Sequence, residues 1–255
     1  MQHGADGQSV PVVRSWVPEV PVALEFNGVA YAVMMATPAD LEDFATGFAV
    51  AEGLACAAAD IGAIAVAEVD LGWIVRVTVP GLGAEALGER VRRRVAESSC
   101  GLCGIESLEA LARPLPAVAR HTAIAPSAIF AALRAMRPLQ GLNRRTGAAH
   151  AAAWVSAQGA IRLLREDVGR HNAFDKLVGA VLRAGGDPAD GFLLSTARCS
   201  YEIVEKAARA GGTTLVTVSL PTSLAVERAR ACGLSLWALA RDDSVLCVGD
   251  GVELA

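Results

Sequence analysis

Short stretches of alternating apolar and polar side chains occupy much of the first third of the chain, and this alternation is typical of half-buried β-strands. Two of these stretches, Val20–Phe26 and Val29–Met35, flank Asn27-Gly28, a dipeptide that favours the tight turn of a β-hairpin. The same pattern predicts two further strands, at Ala63–Val69 and Trp73–Val79.

A helical pattern follows the predicted hairpin. The segment Thr37-Pro38-Ala39-Asp40 predicts a capped helix start with proline at the first helical position. Apolar residues then recur at helical spacing from Leu41 to Ala51. A second helix is predicted over Glu85–Ala96.

The second half of the chain alternates between strands and helices. Predicted strands lie at Leu163–Arg165, Phe192–Thr196, Leu215–Leu220 and Leu234–Ala240, and predicted helices at Ser127–Met136, Asn172–Ala184, Tyr201–Ala210 and Ser223–Cys232. We also expect a hairpin-like pair around Gln158-Gly159 and an edge strand at Val245–Val248. Alternation of this kind predicts a largely parallel sheet flanked by helices.

These patterns divide the chain into three parts. Residues 1–15 are predicted to be a loose tail, residues 16–115 a small α+β domain ending in the segment CGLCG, and residues 116–255 an α/β domain. Hydrophobic residues make up 53% of the 255 residues, which is enough for a substantial core.

Charge and composition narrow the classes of partner. The net charge is −4 and aromatic residues are 5% of the chain, so neither a general attraction to nucleic acid nor a base-stacking surface is expected. The N-terminus has neither the basic nor the apolar region of a signal peptide, and no apolar run is long enough for a membrane span. We therefore expect a cytoplasmic protein. The cluster Arg90, Arg92, Arg93 and Arg94 is most simply a solvated helix face.

In such a sheet, ligands bind beyond the carboxyl ends of the strands, where loops enter helix N-termini. The loops concerned are Glu166–His171, Ala197–Ser200 and Pro221–Ser223. Because free backbone N–H groups at helix starts favour anions, Arg170 and His171 are candidates for binding a phosphate group. The alternative is structural, with Asp167 capping the helix and Arg170 paired with Glu166. His150 either faces the ligand or forms a hydrogen bond within the sheet.

The pair Cys100 and Cys103, in Cys100-Gly101-Leu102-Cys103-Gly104, is the sharpest chemical signal. It precedes a segment that is apolar on one helical face, so the helix dipole is expected to stabilise a thiolate there. Three interpretations remain open from the motif alone: half of a structural zinc site, a redox dithiol, and a nucleophilic thiolate that accepts sulfur as a persulfide.

The other four cysteines, Cys56, Cys199, Cys232 and Cys247, are scattered and are predicted to be packing residues. The four histidines form no pair with metal-ligand spacing, and the H-x-E and P-C-x-x-C signatures of a zinc deaminase are absent. We therefore predict no metal site.

Several long motifs occur in order around CGLCG. They are TPADLEDFATGFAVAEGL from Thr37, TGAAHAA at Thr146–Ala152, EDVGRHNAFDKLVGA at Glu166–Ala180, STARCSYEIVEKA at Ser195–Ala207 and PTSLAVERARACGLSL at Pro221–Leu236. From about residue 20 to residue 248, this set resembles the formate dehydrogenase accessory sulfurtransferase family (FdhD type).

The resemblance implies a function and a fold. A cysteine desulfurase would load sulfur as a persulfide on Cys100, with Cys103 as its partner. The sulfur would pass to the molybdenum bis-molybdopterin guanine dinucleotide cofactor, which formate dehydrogenase needs in sulfurated form. The implied fold is α/β, a cytidine-deaminase-like three-layer domain preceded by a smaller α+β N-terminal domain, in a homodimer. The formate dehydrogenase catalytic subunit is the implied recipient, and Arg170 becomes a candidate for the pterin as well as for phosphate.

The family's guanine-dinucleotide segment falls on Leu239, Ala240, Arg241, Asp242, Asp243 and Ser244. Family members often carry a glycine and a second basic residue where this chain has Asp242-Asp243, and two carboxylates would repel a phosphate-rich ligand. Two alternatives to the sulfurtransferase are considered. One is a non-catalytic chaperone for the molybdenum cofactor, and the other is a dithiol oxidoreductase that uses the CxxC pair.

Overall fold

Two β-sheets, with helices packed between and around them, form a mixed α/β fold. The computed structural model describes residues 1–3, 5–83, 85, 87–91, 114–118 and 121–248. A separate two-residue antiparallel pair, β1 (Gln2–His3) and β2 (Ser9–Val10), lies in the predicted tail. The predicted domain boundaries stay predictions.

The first sheet has four strands: β3 (Val20–Phe26), β4 (Val29–Ala36), β5 (Ile64–Val69) and β6 (Gly72–Val77). Their order is β4-β3-β6-β5, and β3 and β6 are parallel while the other neighbours are antiparallel. The predicted hairpin is confirmed, because Asn27 and Gly28 turn the chain with φ of 48° and 79°.

Helix α1 (Leu41–Ala51) covers this sheet, with Phe44 and Phe48 buried against Phe26. Its predicted start is wrong. The helix begins after Asp40, which has a left-handed φ of 54° and makes no side-chain capping bond, so Pro38 is not the first helical residue. A 3₁₀ turn follows at Ala58–Asp60, and residues 87–91 of the next predicted helix are helical.

The second sheet has six strands in the order β12-β11-β10-β9-β7-β8. They are β7 (His150–Val155), β8 (Ile161–Asp167), β9 (Phe192–Ser195), β10 (Thr214–Thr217), β11 (Ser235–Ala238) and β12 (Leu246–Cys247). The expectation of a largely parallel sheet is wrong. Only β9, β10 and β11 pair in parallel, because β7 and β8 form a hairpin and β12 returns antiparallel at the edge.

Helices cover both faces of the six-stranded sheet. They are α2 (Pro126–Leu139), α3 (Gly141–Thr146), α4 (Arg170–Arg183), α5 (Tyr201–Arg209) and α6 (Ser223–Cys232). Residues of α4, α5 and α6 share one apolar cluster with Leu193 and Leu215, whereas α2 packs on the other face against Leu194 and Val216. Within the described ranges, no helix is long and apolar enough to cross a membrane.

Helices α1 and α4 join the two sheets through glycines. A Cβ atom placed on Gly47 would lie 1.8 Å from the carbonyl oxygen of Asp175, and one on Gly179 would lie 1.8 Å from that of Asp43. The two helix backbones therefore touch directly, which no other residue type allows at these two positions.

A buried ion pair forms a second connection between the sheets. Lys176 and Asp167 are both fully buried, with Nζ 2.6 Å from Oδ2. The backbone N–H of Thr37, just after β4, donates to the same carboxylate at 2.9 Å, and Lys176 donates to the carbonyl of Thr37 at 2.8 Å. Because each charge is surrounded by partners, the end of β4 is tied to the end of β8.

We expect Gly47→Ala to lower the free energy of unfolding by about 1–3 kcal/mol or more, because the added methyl group separates two helix backbones. Urea denaturation measures the effect. Gly81→Ala is the matched control, since a Cβ there meets no atom within 4 Å, and it should change stability by less than about 0.5 kcal/mol. Equal unfolding midpoints for the two variants would contradict the close helix contact.

We expect Lys176→Met to lower the free energy of unfolding by about 3–5 kcal/mol, because the substitution leaves the buried carboxylate of Asp167 without its counter-charge. Arg76→Met, which removes a surface ion pair with Glu25, should cost no more than about 1 kcal/mol. Urea unfolding of both variants at neutral pH provides the comparison. A Lys176→Met protein as stable as Arg76→Met would show that the buried pair does not tie the sheets together.

Candidate functional site

The carboxyl ends of four strands meet at one edge of the six-stranded sheet. Strands β8 and β9 both run antiparallel to β7, which lies between them, so β8 points in the same direction as β9, β10 and β11. The loops that follow these strands hold one another: Thr222 N–H donates to Cys199 O at 3.0 Å, and the Arg241 guanidinium donates to Val218 O. This is the edge at which the sequence predicts a ligand.

Arg170 and His171 lie where α4 begins, next to the buried pair of Asp167 and Lys176. The N-cap is Gly169, whose N–H donates to Asp167 Oδ1 at 2.7 Å. Among the described residues, Arg170 makes no ion pair, so its guanidinium remains available to an anion.

The structural interpretation of the loop from Glu166 to His171, in which Asp167 caps the helix and Arg170 pairs with Glu166, is wrong in both parts. Asp167 does not cap α4, because its carboxylate is committed to Thr37, Gly169 and Lys176. Glu166 does not pair with Arg170 either. Its carboxylate accepts the backbone N–H groups of Leu142 and Asn143, at 2.7 and 2.8 Å, where α3 begins.

His171 is connected to the next helix. Its Nε2 lies 3.0 Å from Oε2 of Glu202, and this contact lowers the pKa of the Glu202 carboxyl. One turn further along both helices, Lys206 Nζ contacts the carboxylate of Asp175 at 2.8 and 2.9 Å. These two contacts hold the start of α4 against α5.

His150 is the first residue of β7 and lies opposite Asp167 in the register of β7 and β8. Burial lowers the pKa of its imidazole, and the nearby guanidinium of Arg170 lowers it further. Within the described residues its ring makes no hydrogen bond, so the sheet-bonded alternative is not observed. A neutral ring half-exposed at the carboxyl edge can donate or accept one hydrogen bond.

The segment from Leu239 to Ser244 follows β11 at the same edge. Leu239 has a left-handed φ of 48°, which is strained for a residue with a branched side chain. Ala240 N–H donates to Thr217 O at 3.1 Å, and Arg241 N–H donates to Ser244 O at 2.8 Å. The segment therefore folds back over the end of β10.

The acidic pair in this segment is partly neutralised. Asp242 pairs with Arg137 of α2 at 2.8 Å, and Asp243 accepts a hydrogen bond from the Ser244 hydroxyl at 3.0 Å. Asp242 also lines a cavity of about 200 Å³ between α2 and the loops that follow β9, β10 and β11. Arg137 and Gln140 line the same cavity. The sequence did not predict this, because the spacing of apolar residues in this region predicts a helix and says nothing about a ligand.

The two candidate groups share an edge but do not touch. Strands β7, β9 and β10 lie between β8, which precedes Arg170 and His171, and β11, which precedes the segment from Leu239 to Ser244. Four strand spacings correspond to about 19 Å. A ligand that contacts both groups must be extended.

Cys100 and Cys103 lie outside the described residues, so their catalytic role stays a prediction. The described parts on either side are anchored: Arg90 donates to Glu52 O at 2.8 Å, and Val118 N–H donates to Cys232 O at 2.8 Å. Cys232 ends α6 at the amino edge of the sheet, about 15 Å from the carboxyl edge given the length of that helix.

The remaining cysteines divide into two classes. Cys199 and Cys232 are buried as predicted, and burial raises the pKa of the Cys199 thiol to about 12. The prediction of packing roles is wrong for Cys56 and Cys247, which are exposed. Cys56 lies in a bend just before the 3₁₀ turn, and Cys247 lies on the edge strand β12. Within the part of the chain that the structure describes, no three His, Cys, Asp or Glu residues could hold a metal ion.

A second cavity, of about 390 Å³, was not predicted. It lies at the start of α1 and is bordered by Trp73. On its wall, the buried carboxylate of Asp43 is held by Arg165 at 2.7 Å and by Arg183 at 2.5 Å. Arg183 also pairs with Glu42. These ion pairs bind α1 to β8 and α4 in the second half of the chain.

Comparison with known proteins places the chain in a family. The model of the FdhD/NarQ family matches residues 17–250. A protein named "Sulfur carrier protein FdhD" from Xanthomonas euvesicatoria pv. vesicatoria is 46% identical over 236 residues, which cover 92% of this chain and 84% of the relative. A protein of the same name from Bordetella petrii is 44% identical over 224 residues, covering 88% and 81%.

A solved structure agrees with the fold. The crystal structure of a formate dehydrogenase accessory protein from Desulfotalea psychrophila superposes with a TM-score of 0.74, at 23% identity, over 93% of this chain and 90% of that one. This chain and the Desulfotalea psychrophila protein therefore share a fold, and the sequence matches identify the family. The chain belongs to the FdhD/NarQ family.

Proposed function

We propose that this protein is a sulfurtransferase that carries persulfide sulfur on Cys100 to the molybdenum bis-molybdopterin guanine dinucleotide, for use by formate dehydrogenase. Two observations together support the proposal. The chain contains the paired cysteines of CGLCG, and it matches the FdhD/NarQ family model over residues 17–250. Its relatives in that family are named sulfur carrier proteins.

The chemistry requires an accessible thiolate. Cys100 would attack the terminal sulfur of a persulfide on a cysteine desulfurase, the donor's S–S bond would break, and the donor cysteine would leave as a thiolate. Cys199 is an unsuitable nucleophile because burial raises its thiol pKa to about 12, and Cys232 is buried as well. Cys56 and Cys247 are exposed but lack the paired cysteine and flanking glycines of CGLCG.

The acceptor is an extended anion, and the carboxyl edge of the sheet suits it. Arg170 and His171 lie at one end of this edge, and the segment from Leu239 to Ser244 lies about 19 Å away. In the proposed arrangement Arg170 and the start of α4 bind a phosphate or the pterin, and the segment after β11 binds the guanine nucleotide.

The proposal includes partners and an assembly. A cysteine desulfurase supplies the sulfur in the cytoplasm, the catalytic subunit of formate dehydrogenase receives the cofactor, and two copies of the chain form a homodimer. The six-stranded sheet, covered by α2 on one face and by α4, α5 and α6 on the other, is compatible with a cytidine-deaminase-like three-layer domain. A smaller N-terminal domain, built on the four-stranded sheet, precedes it in this proposal.

We expect Cys100→Ser to abolish maturation of formate dehydrogenase, because serine cannot carry a sulfane sulfur. The measurement is formate dehydrogenase activity in cells that lack their own accessory protein and express the variant. Cys56→Ser is the matched control, since it removes an exposed thiol outside the motif, and it should retain wild-type activity.

The same cells separate the alternatives. Full activity from the double variant Cys100→Ser, Cys103→Ser would replace the sulfurtransferase with a non-catalytic cofactor chaperone. If Cys56→Ser lost activity and Cys100→Ser did not, the assignment of the sulfur-carrying residue would be wrong. Immunoblotting of each variant shows that an inactive protein is still present.

A further inference from the structure

Helices α2 and α3 carry an exposed surface that is rich in arginine. From Pro126 to Thr146 the chain contains four arginines and neither an acidic residue nor a lysine. Because the whole chain has a net charge of −4, the other residues together carry −8. We call this surface the arginine face. Its members, all exposed, are Arg134, Arg137, Leu139, Arg144 and Arg145.

The two helices hold these side chains close together. Arg134 and Arg137 lie on α2, separated along its axis by about 4.5 Å. Arg144 of α3 donates to the carbonyl of Pro138, near the end of α2, at 2.9 Å. Leu139, which is 53% exposed, lies in the chain between the arginines of the two helices. One partner surface can therefore cover both helices.

Two of the four guanidinium groups have no ionic partner. Arg137 pairs with Asp242, whereas Arg134 and Arg145 make neither an ion pair nor a hydrogen bond among the described residues. The carboxylate of Glu166, which contacts α3, accepts backbone N–H groups at the start of that helix. The charges of Arg134 and Arg145 are therefore available to an acidic partner.

The composition of the arginine face favours a protein partner. Interfaces between proteins are enriched in arginine, depleted in lysine and apolar at their centre. The arginine face has this combination, because Leu139 is exposed among four arginines and lysine is absent. None of its members is aromatic, as base stacking with a nucleic acid would require. A guanidinium matches a carboxylate with two hydrogen bonds, so the complementary groups are aspartate and glutamate.

The arginine face lies beside the carboxyl edge of the six-stranded sheet. The start of α3 is held by Glu166, near the end of β8, and Arg137 of α2 is held by Asp242, in the segment after β11. Strands β8 and β11 are the outermost of the four strands whose carboxyl ends lie at this edge. A protein bound to the arginine face therefore lies beside this edge from one end to the other.

We propose that the arginine face docks an acidic surface of the protein that receives the cofactor, which in the proposed function is the catalytic subunit of formate dehydrogenase. The inference rests on the proposed function, because that function puts the cofactor at the carboxyl edge. A recipient must approach the cofactor, and the arginine face borders the edge where it lies. A sulfur donor needs access to Cys100 only. Opposite charges on two proteins speed their encounter and favour one orientation.

Binding to formate dehydrogenase that lacks its cofactor tests the proposal. Biolayer interferometry with the full chain measures Kd and the association rate. The double variant Arg134→Glu, Arg145→Glu should raise Kd about tenfold or more, mainly through slower association, because it reverses two unpaired charges. This difference from wild type should shrink in 1 M salt, where the Debye length is about 3 Å.

Leu139→Ser tests the apolar part of the arginine face. It should raise Kd by about fivefold at both low and high salt, because the lost contact is apolar and is not screened by ions. Leu139 is half-exposed, so the substitution should leave the unfolding midpoint unchanged. Together, a loss that depends on salt and one that does not identify a protein surface and not a simple polyanion.

Arg14→Glu is the matched control for charge reversal. Arg14 is exposed, makes no ion pair among the described residues and lies outside α2 and α3, so the variant should bind like wild type. Sulfur loading of Cys100 by a cysteine desulfurase, measured by mass spectrometry, should be equal in wild type and all variants, because the inference concerns the recipient and not the donor.

Each other outcome counts against a defined part of the account. Unchanged binding by the double variant and by Leu139→Ser, with sulfur loading intact, would overturn the docking surface and leave the proposed function standing. Wild type that loads sulfur but does not bind the cofactor-free enzyme would do the same. Wild type that neither loads sulfur nor binds would count against the proposed function itself.

Two results would assign the arginine face to another partner and so contradict the proposal. One is loss of sulfur loading in the double variant while binding to formate dehydrogenase is unchanged, which would identify the donor as the partner. The other is binding to vesicles of phosphatidylcholine and phosphatidylglycerol that the double variant loses, again with unchanged binding to formate dehydrogenase, which would identify an anionic membrane surface.

Discussion

The fully buried contact between Lys176 and Asp167 is the interaction on which the candidate site depends. It joins the end of β8 to the middle of α4 and, through Thr37, to the end of β4 in the other sheet. Because removing one partner of such a pair leaves an uncompensated buried charge, the pair ties the end of β8 to α4 on either side of the loop that joins them. Arg170 and His171 take their positions from that loop. The four-stranded sheet therefore helps to position the candidate site, through the contacts of Thr37 with Asp167 and Lys176.

Local signals in the sequence predicted the elements well. Asn27-Gly28 predicts its hairpin because both residues tolerate a positive φ, and α6 begins and ends at the predicted residues Ser223 and Cys232. The prediction of a largely parallel sheet was wrong because parallel or antiparallel pairing depends on which strands become neighbours. Strand β7 lies between β8 and β9 and is antiparallel to both. The helix start at Pro38 was wrong for a tertiary reason: Thr37 uses its backbone and hydroxyl to bind Asp167, Val168 and Pro18.

The site was predicted in outline only. Strand–helix alternation is enough to place Arg170 and His171 at the carboxyl edge of the sheet. The segment from Leu239 to Ser244 came from the family resemblance, and the folded chain brings it to the same edge. Gln140 and Arg137 could not be found, since one is a buried amide and the other an exposed helix residue with ordinary periodicity. Only the folded chain brings them beside Asp242. The roles of Cys100 and Cys103 come from their motif and family resemblance and stay predictions.

The central claim is chemical: one thiol of this chain holds a transferable sulfur atom. Peptide mapping by mass spectrometry, after incubation of the purified protein with a cysteine desulfurase and cysteine, locates that atom directly. The account predicts a gain of one sulfur on the peptide that contains Cys100, reversed by dithiothreitol. Sulfur found only on Cys56 or Cys247, or on no peptide while the desulfurase itself is loaded, would contradict it.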